Sequence, residues 1–277
     1  MEWVENVALP GRRVVSSREL TGGYSNHNVL VETDDGGRFV LRRYLGTNRC
    51  AVEVALAARL RGVVPVPEVV AFSPSDGLVL SVFVDGHPPS SGYSVGETLA
   101  RIGSVSFDAP GFFGSSSDGL SPDGFEPIGG LDAFVERCLR TGNAAGYLSD
   151  VEQQSLLKFA ASADISDLSG SHQLVHADYN PKNLLASGDR IVAVLDWEFA
   201  FSSSPLFDVG NMLRDPRPAG FADDFLRGFR DGGGDLPANW RELSQALDLY
   251  SLADFLTRPV DHRYFGRAVT RIRELVR

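Results

Sequence analysis

The chain has 277 residues, 43% of them hydrophobic, with 26 basic and 36 acidic side chains for a net charge of −10. That suffices for one large core or for two lobes sharing a cleft. No long apolar run and no charged-then-apolar N-terminus is visible, so neither a membrane span nor a secretory signal is expected, and the acidic balance argues against nucleic acid or anionic membrane as a partner. The same charge is compatible with a cationic small substrate or with solubility alone. Cys50 and Cys138 lie far apart and match no metal spacing, which points to reduced thiols and a cytoplasmic location.

Residues 1–85 read as a small strand-rich lobe. Strands are expected from Arg13, over residues 29–33 and 38–44 around the turn Asp34-Asp-Gly-Gly37, and over 78–84, with a helix from Cys50 to Leu60 stopped before Pro65. Leu20-Thr-Gly22-Gly23-Tyr-Ser25-Asn26 joins the first two strands. Paired glycines let backbone approach a phosphate and Ser25 and Asn26 supply donors, although a glycine pair serves a tight hairpin equally well.

Residues 86–277 read as a larger, mostly helical lobe. A Gly-, Ser- and Pro-rich hinge leads to a helix around residues 96–103, and the long loop 108–130 either covers a pocket or is plain surface. Ser149 and Glu152 form a capping-box pattern that opens a helix. Trp240, Leu243, Leu247, Tyr250 and Leu256 recur at helical spacing over 239–258, and residues 263–276 read as a last amphipathic helix with its arginines on the outer face.

The chemistry is concentrated near residue 180. His176-Ala-Asp178-Tyr-Asn-Pro-Lys-Asn183 runs into a hairpin pattern, residues 183–186 and 191–195 around the turn Ser187-Gly-Asp-Arg190, and then reaches Asp196, thirteen residues after Asn183. This resembles the kinase pattern H-x-D-x-x-x-x-N followed by a metal-binding aspartate. Phosphoryl transfer needs hard oxygen ligands for Mg²⁺, a role suited to Asn183 and Asp196, and leaves Asp178 to receive the attacking hydroxyl.

Trp197-Glu198-Phe-Ala-Phe and Pro205-Leu-Phe-Asp208 extend the match: the chain resembles the aminoglycoside phosphotransferase and choline kinase-like family. The resemblance implies a two-lobed, protein-kinase-like α+β fold. It implies transfer of the γ-phosphate of ATP or GTP, with Mg²⁺, to a hydroxyl of a small molecule, an antibiotic being favoured: an aminoglycoside, a tuberactinomycin-type peptide or a nucleoside. A kinase for a choline-like alcohol or sugar, or a non-catalytic binding module of the same fold, are the alternatives.

Where that family carries a phosphate-binding lysine on a strand, Val40-Leu-Arg42 stands here. Arg42 is therefore expected to contact phosphate and Glu53 together, with Arg43 on the opposite strand face; Glu53 as a solvated helix residue is the alternative. In such loops His176 and Asp208 organise backbone rather than react. Lys182 is open between facing a phosphate and being solvated. Glu198, Asp248, Asp254 and Asp261 are candidates to attract a cationic acceptor, or are simply solvated acids.

Overall fold

Alternating apolar and polar residues build an antiparallel sheet first. In the computed structural model, which describes residues 1–20, 26–114 and 120–277, it contains β1 (Val14–Glu19), β2 (Asn26–Thr33), β3 (Arg38–Tyr44), β4 (Val69–Ser73) and β5 (Leu78–Val82) in the order β1-β2-β3-β5-β4. The β2–β3 turn is set by Asp35, whose carboxylate accepts from the Gly37 amide (3.1 Å) and the Thr33 hydroxyl (2.6 Å). Gly36 takes a positive φ of 82° there, which a residue with a Cβ resists. Gly22, Gly23 and Ser25 lie outside the described residues. β4 was not expected from the sequence.

Two sets of apolar side chains fix this sheet in place. Val29, Val31, Phe39 and Leu80 bury one face against Val4 and Leu9 of the N-terminal segment. On the other side, α1 (Cys50–Leu60) buries Val52, Leu56 and Leu60 in the main core of the protein, so this helix belongs to both lobes. The chain crosses between lobes at residues 83–92, where His87 and Ala186 exchange backbone hydrogen bonds of 3.0 and 2.7 Å.

The larger lobe comprises α2 (Tyr93–Gly103), α3 (Leu131–Thr141), α4 (Asp150–Ser162), α5 (Leu206–Leu213), α6 (Phe221–Asp231), α7 (Trp240–Phe255) and α8 (Arg263–Leu275). Set among these helices are β6 (Gly111–Phe112), β7 (Gln173–Val175) and β10 (Phe201–Ser203) in the order β6-β10-β7, and the hairpin of β8 (Leu184–Ser187) with β9 (Arg190–Val194). The capping box is formed, with Ser149 and Glu152 satisfying each other's backbone amides at the start of α4. Gly96 of α2 and Gly228 of α6 lie where a Cβ would overlap the carbonyls of Phe225 and Tyr93, so the two helices pack backbone to backbone.

The described part of the 108–130 loop is partly paired. Phe112 lies opposite Phe201 in the sheet, and Gly129 exchanges hydrogen bonds with the Tyr250 hydroxyl. The arginines of α8 do not all face outward, since Arg263 and Arg267 line the interlobe cleft. Both cysteines are buried and free, and no helix among the described residues is long and apolar enough to cross a membrane.

Candidate active site

The central loop leaves β7 through a strained turn. Ala177 adopts a left-handed backbone (φ 69°), which costs a residue bearing a Cβ roughly 1–2 kcal/mol. Asp208, fully buried near the start of α5, holds it there: its carboxylate accepts from the backbone amides of His176 (2.7 Å) and Ala177 (2.9 Å). Burial pushes the Asp208 carboxyl up to about 7, against the lowering effect of those amides.

His176 ties this turn to the following strand. Its Nε2 donates to the Leu195 carbonyl (2.8 Å) and its Nδ1 accepts from the Asp178 amide (3.2 Å), a tautomer assigned from its partners. Burial lowers its pKa, consistent with a neutral ring. Neither nitrogen is left to take a proton from a substrate.

Asp178 is held from both sides. Asn180 donates to its Oδ1 (2.7 Å) and Asn183 to its Oδ2 (2.8 Å), so the Asn183 amide nitrogen is engaged and its oxygen remains as an acceptor. Lys182 closes the set, with its ammonium 2.9 Å from Asp178 Oδ2 and donating to the Tyr264 hydroxyl (3.1 Å). Burial lowers the Lys182 pKa, but the Asp178 charge outweighs it and holds the ammonium above its ordinary value. Sequence reasoning left this residue undecided because its i+4 relation to Asp178 crosses a Pro-containing turn rather than a helix.

Asp196 follows β9 and is also left-handed (φ 68°). Its Oδ1 accepts from Arg42 Nη1 (3.0 Å), which also pairs with Glu53 (2.7 Å), while Arg42 Nε donates to Asn28 (3.2 Å). Burial pulls the Arg42 pKa down, but Glu53 and Asp196 prevail and raise it; Glu53 is itself raised by burial, with Asp196 and Glu198 adding to the effect and Arg42 opposing it. Arg43 faces outward on the same strand. Glu198 accepts from Asn26 Nδ2 (3.0 Å), and Arg49, which the sequence did not single out, donates to the carbonyls of Glu198 (2.9 Å) and Phe113 (2.8 Å), joining the small lobe to the large.

Glu53, Asp196 and Glu198 thus gather around one guanidinium, an excess of negative charge that suits a bound cation. Among the described residues no three His, Cys, Asp or Glu side chains form a metal cage. The donor set fits Mg²⁺ held by few protein oxygens together with phosphate and water, and Asn183 and Asp196 are the residues that could supply those oxygens. Asp178, Asn183, Asp196, Arg42 and Glu53 all line one cleft of about 1260 Å³ between the lobes.

A family model described as the phosphotransferase enzyme family matches residues 16–244. The chain belongs to that family. No curated protein matches it. Among solved structures it is similar to the macrolide 2'-phosphotransferase MphH from Brachybacterium faecium, with a TM-score of 0.70, 19% identity and 98% of each chain covered. It is also similar to a macrolide 2'-phosphotransferase type I (TM-score 0.69, 16% identity, 95% of this chain and 92% of the other). A thermostable mutant of the aminoglycoside phosphotransferase APH(4)-Ia, solved with AMP-PNP and hygromycin B, gives a TM-score of 0.67 at 20% identity over 95% and 94% of the two chains. The fold of this phosphotransferase is accordingly the two-lobed, kinase-like α+β fold.

The four acids proposed to draw in a cation do not converge. Asp248 is buried and bound by Arg214 through three contacts of 2.6–3.0 Å, and it does not line the cleft. Asp261 is exposed and away from the lining. Asp254 reaches the cleft but pairs with Arg258 (2.9 Å), and Glu198 sits on the strand side beside Asn26. Helical spacing alone did not reveal that Arg214, which follows α5, engages Asp248 of α7, whereas the Asp254–Arg258 pair is an i,i+4 contact at the end of α7 itself.

Proposed function

We propose that the protein transfers the γ-phosphate of a nucleoside triphosphate, ATP or GTP, to a hydroxyl of a small molecule, and that Asp178 is the base. The observation that carries this reading is the convergence of Asp178, Asn183 and Asp196 beside the Arg42–Glu53 pair in one cleft. Asp178, fixed by Asn180 and Asn183, orients the acceptor hydroxyl and takes its proton. The hydroxyl oxygen forms a bond to the γ-phosphorus as the bond to the bridging oxygen breaks, and the nucleoside diphosphate leaves. Arg42 holds phosphate oxygens and is itself held by Glu53. Asn183 and Asp196 would hold Mg²⁺, which would supply charge neutralisation on the phosphates.

The acceptor proposed is an antibiotic. Support comes from structural neighbours named for macrolide phosphorylation or solved with hygromycin B, and from the aromatic wall of the cleft, where Phe112, Phe201, Phe207, Tyr250 and Phe134 form a chain with ring centroids 5.1–5.9 Å apart. Dependence on a nucleoside triphosphate is consistent with action in the cytoplasm. The test is release of nucleoside diphosphate with Mg²⁺ and either nucleotide, across hydroxyl-bearing antibiotics of several classes. Turnover abolished by chelator and by Asp178→Asn is expected; turnover indifferent to both removes the proposal.

A further inference from the structure

The charge lining the cleft is divided between its two sides. Toward the strands it consists of Arg42 with Glu53, Asp196 and Glu198. Toward the helices it consists of Lys182, Arg214, Arg217, Arg258, Arg263 and Arg267 against Asp215 and Asp254, with Asp178 between the two sides. In a chain with ten more acids than bases, composition does not account for cations gathered on one wall.

Three of these guanidinia form a group, and one of them, Arg214, lies near Asp178. Arg214 is taken up by Asp248 and lies within the electrostatic reach of Asp178. Arg267 pairs with Asp215 (2.7 Å). Arg217 has no carboxylate at ion-pair distance among the described residues; its Nε donates to the Met212 carbonyl (2.8 Å). Partial burial lowers its pKa, Asp215 opposes this, and the neighbouring Arg267 and Arg214 lower it further. Like charges brought together beside a cleft are relieved by an anion that enters it. Next to the group, Phe255 and Tyr264 are stacked with centroids 4.9 Å apart, and both line the cleft.

We infer that the acceptor is an anion: a hydroxyl compound with a planar or apolar body and a carboxylate or phosphate group that Arg217 binds, with Arg267 beside it, while the hydroxyl reaches Asp178. This rests on the phosphotransferase reading and names the acceptor class of the same site. A polyamine finds no surplus of carboxylates on this wall.

The experiment uses four phenyl β-glucosides that differ only at the primary carbon of the sugar, which carries a hydroxyl, a carboxylate, a phosphate or an ammonium group. Binding of each to the full chain is measured by calorimetry, with and without Mg²⁺ and AMP-PNP. The carboxylate or the phosphate compound is expected to bind about tenfold tighter than the neutral parent, with the ammonium compound weakest. Whichever of the two anions binds better identifies the group. Arg217→Gln should bring the series near parity while AMP-PNP affinity is kept, and Arg217→Lys should retain the ranking. Preference for the ammonium compound, no dependence on charge, or binding of none of the four overturns the inference. Failure of Mg²⁺–AMP-PNP to bind is a separate result and counts against the phosphotransferase reading instead.

Discussion

The strand side and the helical side of the cleft follow opposite electrostatic plans. On the strand side three carboxylates surround Arg42, an arrangement that favours a bound cation and its phosphates. On the helical side arginines outnumber carboxylates around an aromatic wall, an arrangement that favours a different partner. The difference teaches that the net charge of the chain describes neither side. Local pairing decides what each can bind, because charges within a few ångströms act before the distant field does.

The comparison is tested most severely at the residue between the two sides. Asp178→Ala is expected to lower kcat by about a thousandfold with Mg²⁺–nucleotide affinity retained, since it removes the proposed base and leaves the proposed metal ligands. Asp196→Ala should lower the rate by at least about a hundredfold and weaken Mg²⁺–nucleotide binding as well, measured by titration with AMP-PNP. Unchanged nucleotide affinity in that variant would take Asp196 off the strand-side plan. Arg42→Ala should cost about a hundredfold in rate and Arg43→Ala almost nothing, because only Arg42 reaches Glu53 and Asp196. Equal losses would mean that the strand face is not what separates them.

On the helical side the expected effects shift from rate to stability. Asp248→Ala strands the buried Arg214 charge and should destabilise the protein by about 3 kcal/mol in chemical denaturation. A loss of acceptor affinity with no loss of stability would restore Asp248 to the acceptor site. The smallest effect belongs to Asp261→Asn, which should change stability by less than about 0.5 kcal/mol and leave turnover as it was.

The sequence by itself determined the parts of the site held by local geometry. Asp178, Asn183 and Asp196 could be read because one turn and one hairpin, β8 with β9, fix their relation, and a hairpin is specified by its own alternation and turn residues. The Arg42 and Arg43 distinction was legible for the same reason, since strand residues alternate faces. The edge strand β4 was missed because its residues alternate between partial burial and exposure and follow Pro65 and Pro67, so no clear apolar face marks it. Only the tertiary structure decided the helical wall of the cleft. Asp248 and Arg214 lie 34 residues apart on α7 and just after α5, and Arg267 of α8 meets Asp215 across 52 residues. No spacing rule links helices that meet only by packing, so whether an acid faces substrate or a neighbouring arginine is settled when the helices dock.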